Sequence, residues 1–381
     1  MQGVEEFRSE VRDWLAENLV GDFAALKGLG GPGREHEAFE ERRAWNQHLA
    51  QAGLTCLGWP VEHGGRGLSV AHRVAFYEEY AIANAPAKVN HFGEELLGPT
   101  LIAFGTPEQQ QRFLPRILDV TELWSQGYSE PGAGSDLANV STTAVLDDDE
   151  WVINGQKVWT SLAHWAQWCF VVARSEKGSK RHAGLSYLLV PLDQPGVEVR
   201  PIVQLTGDSE FNEVFFDDAR TDADLVVGQP GDGWRVAMGT LTFERGVSTL
   251  GQQIVYAREL SAVVELAKST GAADDPLIRE RLTRSWAGLR AMRSYAMATM
   301  DVEQPGQDNV SKLLWANWHR DLGEIAMDVR GKAGLALPGG DFDEWQRLYL
   351  FTRADTIYGG SNEIQRNIIA ERVLGLPREA R

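Results

Sequence analysis

The chain has 381 residues, 43% of them hydrophobic, and carries 37 Lys and Arg against 54 Asp and Glu, a formal charge of −17. One hydrophobic core does not fill that length, so two or three packed units are expected. The acidic balance, with basic residues scattered rather than bunched, leaves no footprint for gripping phosphate backbones, and no nucleic acid is expected as a partner.

Two cysteines, Cys56 and Cys169, cannot make a disulfide framework, and no Cys/His spacing suits a metal. The N-terminus has no basic segment ahead of an apolar run, and no stretch approaches the roughly 18 apolar residues of a membrane span. A cytoplasmic chain without membrane contact is therefore expected.

Residues 1–120 read as an α-helical domain, with apolar residues three and four apart, as in Phe7, Val11, Trp14 and Leu15. Gly28-Leu-Gly30-Gly-Pro-Gly33 matches G-x-G-x-x-G, a pattern that binds dinucleotides only between a strand and a helix. Here an Ala-rich helical stretch precedes it and Pro32 interrupts it, so a surface loop is expected. Residues 121–225 change to short β-branched and aromatic runs at 140–145, 151–153, 157–160, 170–173, 186–191, 197–203 and 213–216. They predict a middle antiparallel barrel or sandwich, with Asn154-Gly155 as a hairpin turn and the acidic run at 147–150 as a solvated loop. From 226 to 381 the helical period returns. Leu250, Ile254, Ala257, Ser261 and Val264 share one stripe, and amphipathic helices around 278–300, 308–327 and 342–350 complete a C-terminal four-helix bundle. The expected fold class is α+β.

The densest unusual segment is Trp124-Ser-Gln126-Gly-Tyr128-Ser129-Glu130-Pro131-Gly132-Ala-Gly134-Ser135-Asp136. Its glycines, proline and serines make a rigid turn exposing N–H groups and hydroxyls, suited to a flat ring or a pyrophosphate; composition alone favours the entry loop of the β-domain, and the segments downstream shift the balance. Downstream, Lys157-Val-Trp159-Thr160-Ser161 places an aromatic beside two hydroxyls at a strand end, able to pack on an isoalloxazine. Phe243-Glu244-Arg245 reads as opening a helix, and Tyr358-Gly359-Gly360-Ser361-Asn362-Glu363-Ile364 lies near the C-terminus. His91 and His164, scattered among the eight His, read as structural, and Trp165 and Trp168 as packing residues.

These segments, with Phe104-Gly-Thr-Pro-Glu-Gln and Phe211-Asn-Glu-Val-Phe-Phe216, resemble in order and spacing the acyl-CoA dehydrogenase family over nearly the whole chain. The resemblance implies an α/β/α three-domain flavoenzyme that introduces a 2,3-trans double bond into an acyl-CoA thioester. A carboxylate takes the α-proton, the β-hydrogen leaves as hydride to flavin N5, and donors hold the carbonyl oxygen. Gln126, Tyr128, Ser129, Gly134, Ser135, Trp159, Thr160, Ser161, Ser361 and Glu363 match positions that contact FAD, although Glu363 stands where Gln is common. Ser135, Thr242, Arg245, Gly359 and Gly360 match substrate-binding positions, the backbone N–H of Gly359 or Gly360 being the donor to the thioester carbonyl. Most members place the catalytic Glu where this chain has Gly359. Branched-chain and long-chain members instead use a Glu directly before an Arg on a bundle helix, which Glu244-Arg245 matches. On a helical wheel Glu244 shares a side with Ser248, Gly251 and Val255, small residues that suggest an open space beside the base.

In homotetrameric relatives a neighbouring subunit completes each FAD site through Arg-x-x-Phe-Gly and Gln-x-x-Gly-Gly turns. Here the first region reads Ala267-Lys-Ser-Thr-Gly-Ala-Ala-Asp-Asp-Pro276, and the second Asp328-Val-Arg-Gly331-Lys332. The resemblance thus implies one half of an α2β2 heterotetramer with a homologous partner subunit, similar to the two-gene enzymes acting on CoA-activated steroid side chains. A homotetramer holding FAD by other residues stays the alternative. Electron-transfer flavoprotein is the implied electron acceptor. An acyl-CoA oxidase-like flavoprotein and a catalytically inactive structural subunit are the competing functions.

Overall fold

The computed structural model describes residues 2–243, 248–299 and 305–378. Their contacts gather into two units, one within Ala16–Ser69 and Asn84–Gly246, the other within Met1–Leu15, Val70–Ala83 and Val247–Arg381.

The first unit holds a seven-stranded sheet: β1 (Trp124–Gly127), β2 (Thr143–Asp147), β3 (Glu150–Ser161), β4 (Trp168–Arg174), β5 (Leu185–Pro191), β6 (Val197–Ile202) and β7 (Phe211–Asp222). The strands run β1-β4-β2-β3-β7-β6, with β5 on β4. The sheet is mixed rather than wholly antiparallel, because β1 pairs parallel with β4, Trp124 opposite Trp168. A parallel neighbour needs a long connection, and three intervening elements of chain separate the two. Along β4 the side chains alternate between two cores. Phe170 and Val172 join Leu96, Leu97 and Leu101 and helix α5 residues Phe113 and Ile117, α5 being Pro107–Leu118. Cys169, Val171 and Ala173 join Trp151, Ile153, Val214 and Phe216 of the sheet. With both faces covered, β4 and β5 are apolar almost throughout, whereas β2 and β6 carry exposed positions.

Asn154-Gly155 is not a hairpin turn. It lies inside β3, and the β2/β3 turn falls at Asp148-Asp149, where Asp148 has φ +53°. Gly155 serves a close approach instead: a Cβ there would lie 2.5 Å from Thr142 Oγ1, and the β3/β7 register shifts between Ile153 and Gly155. The acidic run at 147–150 is a solvated turn, as its charge implies, and no group of residues suited to a metal occurs among the described residues.

The second unit is helical: α7 (Ser248–Thr270), α8 (Pro276–Thr299), α9 (Gln307–Arg330), α10 (Glu344–Thr352) and α11 (Asn362–Ile368), with α3 (Val70–Ile82) and the first residues of α1 (Val4–Asn18). Its core joins Tyr256, Leu260, Val263 and Ala267 of α7 to Leu289 and Met292 of α8 and Trp318, Leu322, Ile325 and Val329 of α9. The buried stripe of α7 is therefore rotated from the expected one: Ser261 is exposed, and Ile254, Ala257 and Val264 are half-buried. Two faces of α7 are covered, by α3 and by α8 with α9, and the stripe opens on Gln253 and Tyr256, so apolarity does not mark it. Among the described residues no helix is long and apolar enough to cross a membrane.

Candidate functional site

In the first unit the structure brings together the segments carrying Gln126, Tyr128, Ser129, Gly134, Ser135, Trp159, Thr160 and Ser161. β1 ends at Gly127, where a Cβ would press within 2.8 Å of Cys169 Sγ. Past it, Glu130 and Ala133 exchange two backbone hydrogen bonds of 3.0 Å and close a turn on Pro131-Gly132. A Cβ on Gly132 or Gly134 would meet nothing within 4 Å, and neither residue has the left-handed φ that favours glycine. No packing among the described residues requires a glycine at 134, so the space beside it is open. Ser135 is exposed beside it.

Lys157 ties this loop to β3. Its Nζ, wholly buried, donates to Tyr128 O at 3.1 Å, Glu130 Oε1 at 2.8 Å and Val172 O at 2.7 Å. Glu130 also accepts from Ser141 N, Ser141 Oγ and Thr142 N. Burial alone would raise the Glu130 pKa, but the Lys157 charge and these donors hold it down at about 2, so the pair is ionic. Val158 N–H donates to Ser129 O at 2.9 Å. These bonds join the two segments directly.

The next residue is strained. Trp159 has φ +59° in the β3/β7 register shift between Lys157 and Thr160, and its indole is 57% exposed, edge-on to Phe211. A bulky residue in the left-handed region costs energy and persists where its surroundings impose it. Here Lys157 opposite Val214 and Thr160 opposite Asn212 hold the bulge, which turns the ring out of the sheet. In the same unit, Gln126 Nε2 on β1 and Thr160 Oγ1 on β3 are buried and have no hydrogen-bond partner among the described residues. A buried donor or hydroxyl left unmatched costs about 1–3 kcal/mol, and an acceptor supplied by a bound group removes the cost. The donor set, the open glycine and the outward indole fit a flat heterocycle with polar edges.

Thr242 lies near the end of α6 (Gly233–Phe243), exposed, its hydroxyl donating to Met238 O at 3.0 Å. Phe243 is the last described residue of this helix, and Glu244 and Arg245, with the helix start expected there, lie outside the described residues. The small residues expected to border an open space do not do so at 251: a Cβ on Gly251 would lie 3.0 Å from Tyr77 Cβ, so glycine serves the approach of α3 to α7.

In the second unit Gly359 and Gly360 form a turn with φ +60° and +89°. Ser361 caps α11, accepting from Ile364 N, and Glu363 is exposed, 3.8 Å from Arg366. The turn is braced by residues the sequence pattern passed over. Gln365 donates to the carbonyls of Gly359 and Gly360, Tyr358 OH donates to Asp355, and His319 bridges Asp355 at 2.7 Å and Glu259 at 2.9 Å. Burial alone would lower the His319 pKa, but the two carboxylates outweigh it and raise the imidazole to about 9. Polar residues inside an otherwise apolar helical stretch were the available signal. Asp328 pairs with Arg281, and Gly331 has φ +52°.

The expected structural histidine at 164 accepts or donates one bond with Asn212 at 3.0 Å, and His91 stacks near Phe92. The glycine-rich segment at 28–33 carries no nucleotide fold, but it is less superficial than expected. Gly30 and Gly33 are buried, and Gly33 N–H donates to Glu210 Oε2 at 2.8 Å. Burial, then the charge of Glu35, pushes Glu210 up to about 8.

Family profiles for the N-terminal, middle and C-terminal domains of acyl-CoA dehydrogenases match residues 2–121, 125–219 and 231–374. Acyl-CoA dehydrogenase IpdE1 of Mycolicibacterium smegmatis is 87% identical over 99% of both chains, and that of Mycobacterium tuberculosis is 85% identical over the full length of both. Among solved structures, the Tcur3481-Tcur3483 steroid ACAD superposes with a TM-score of 0.84 at 30% identity, over 99% of this chain and 98% of that one. The ChsE4-ChsE5 complex from Mycobacterium tuberculosis gives 0.82 at 30% identity over the same shares. Members of this family are FAD flavoproteins. The chain belongs to the acyl-CoA dehydrogenase family.

Proposed function

We propose that this acyl-CoA dehydrogenase binds FAD in the cradle formed by Gln126, Tyr128, Ser129, Gly134, Ser135, Trp159, Thr160 and Ser161, with Ser361 and Glu363 as further contacts. The observation that carries the proposal is the pair of buried, unmatched polar atoms, Gln126 Nε2 and Thr160 Oγ1, together with the strained, exposed Trp159 next to Thr160. FAD, when bound, supplies the acceptor for the hydride that leaves the substrate β-carbon. Glu244 is the base that takes the α-proton. Ser135, Thr242 and Arg245 bind the acyl-CoA, and the N–H of Gly359 or Gly360 holds the thioester carbonyl as negative charge develops on it. Gly359 has no carboxylate of its own to offer, which supports assigning the base to Glu244.

The substrate in this reading is a bulky or steroid-side-chain acyl-CoA, and the assembly an α2β2 heterotetramer with a homologous partner. The likeness to a steroid ACAD and to a two-protein complex supports both, as does Asp328, already paired with Arg281 where relatives offer Gln. Electron-transfer flavoprotein accepts the electrons. Domain limits at 1–120, 121–225 and 226–381 belong to the same reading.

The test is co-expression with the homologous partner, then anaerobic titration with a steroid-side-chain acyl-CoA. Bleaching of bound flavin in the wild-type complex and none in Glu244→Gln, with equal flavin content, is the expected result. A drop in kcat of about 10²–10⁴-fold fits the loss of a positioned base. Full turnover by Glu244→Gln removes Glu244 from the mechanism, and rapid hydrogen peroxide formation in air identifies an oxidase instead.

A further inference from the structure

The turn at Gly359-Gly360 has no side chains, so something else must fix the direction of its peptide groups. That element is Gln365, which is fully buried. Its amide nitrogen donates to Gly359 O at 3.0 Å and to Gly360 O at 3.1 Å, so both hydrogens of one NH2 group are engaged. Its Oε1 accepts from Asn309 Nδ2 at 2.6 Å. Asn309 is itself buried on α9 and can only donate through that nitrogen, so the Gln365 amide cannot turn over without setting NH2 against NH2.

The peptide group is planar and trans, so a carbonyl aimed one way turns the N–H of the same unit the opposite way. With Gly359 O held on Gln365, the N–H of Gly360 points away from it; with Gly360 O held there too, so does the N–H of Ser361. Gly360 cannot be replaced cheaply for the same reason: at φ +89° a Cβ would lie 2.5 Å from Gln365 Nε2. Neither the Gly359 nor the Gly360 N–H has an acceptor among the described residues. The turn is thus a preorganised donor whose aim is set from behind.

We propose that Gln365, held by Asn309, is the positioning residue that aims the Gly359-Gly360 turn at the thioester carbonyl. This rests on the reading that the turn binds that carbonyl. Gln365 is wholly buried behind the turn and offers no surface to a bound group. It acts by keeping the donor aligned, so its loss weakens a hydrogen bond that matters most when the carbonyl carries enolate charge.

The experiment uses the flavin-loaded complex with its partner and two readouts. One is steady-state kinetics. The other is the infrared carbonyl band of bound enoyl-CoA product labelled with 13C at the thioester carbon, whose red shift on binding reports polarisation by the donor. Gln365→Leu is expected to lower kcat by roughly 10–100-fold with KM within about 3-fold, and to abolish most of the red shift. Asn309→Ala leaves Gln365 in place but frees its amide, and is expected to lower kcat by roughly 3–10-fold with a partial loss of shift. It also serves if Gln365→Leu does not fold. Variants that melt earlier yet keep the full red shift and kcat assign Gln365 a purely structural role and overturn the inference. A wild-type complex that turns over without any red shift overturns it as well. A wild-type complex that neither bleaches nor turns over with acyl-CoA instead overturns the functional reading beneath it.

Discussion

Replacing Lys157 by Met keeps the length and apolar stem of the side chain and removes its charge. Glu130 then stays 4% exposed, facing only the neutral donors of Ser141 and Thr142. Breaking one side of a buried ion pair costs about 3–5 kcal/mol, before any loss at the carbonyls of Tyr128 and Val172. At roughly 2–4 °C per kcal/mol for a unit of this size, the melting temperature of the flavin-loaded protein should fall by about 6–20 °C at pH 8. The sign with pH follows from burial. Without Lys157, desolvation raises the Glu130 pKa above its unfolded value, so the protonated form is favoured in the fold and the deficit shrinks as pH falls. Glu130→Gln in the same protein removes the unpaired charge while keeping an acceptor for Thr142 N–H, and should restore about 2 kcal/mol or more. Calorimetry at pH 5 and pH 8, with flavin content measured alongside, checks all three. A Lys157→Met protein that melts within 2 °C of wild type at pH 8, or a double variant no better than the single one, refutes the reasoning.

Thr160→Val should leave the melting temperature of the flavin-free protein nearly unchanged, since the hydroxyl has no partner there, while weakening flavin binding by about 3–10-fold in fluorescence titration. Glu210 has a folded pKa of about 8 against 4.5, so the stability it contributes is complete below pH 4.5 and is lost as pH rises to about 8. Glu210→Gln keeps an acceptor for Gly33 N–H and should flatten that decline; an equal decline in both proteins between pH 5 and pH 8 counts against a shifted Glu210. For His319, raised from 6.5 to about 9, the contribution is complete below pH 6.5 and lost through pH 9. His319→Gln should therefore be less stable than wild type by a few kcal/mol at pH 6, with the gap narrowing by pH 10, as denaturant melts at the two values would register.

The order helical, β-rich, helical was legible because periodicity reports burial directly, and the segments of the proposed cradle stood out because their glycines, hydroxyls and tryptophan crowd into two short stretches. What periodicity could not report was pairing. Nothing in Trp124-Ser-Gln126-Gly announces a parallel neighbour forty-odd residues on, and Asn154-Gly155 carries the signature of a turn while serving a bulge against Thr142. The α7 stripe was misplaced because Gln253 and Tyr256 are polar residues on a buried face. Lys157 and Gln365 escaped notice for a related reason. A charged or amide side chain reads as surface until the carbonyls it satisfies are seen, and those lie 29 and 15 residues from Lys157 and six and five from Gln365.

β3 finds one neighbour at once, since β2 precedes it directly, but the strand on its other side is β7, some sixty residues further along the chain. During translation at about 5–20 residues per second, the nascent segment with Trp159 and Thr160 must therefore wait several seconds on the ribosome with one row of amides unzipped. Long-range pairings of this kind form late and leave a sticky margin while they are pending. The segment proposed above to hold the cofactor is therefore among the last parts of the sheet to be closed on both sides.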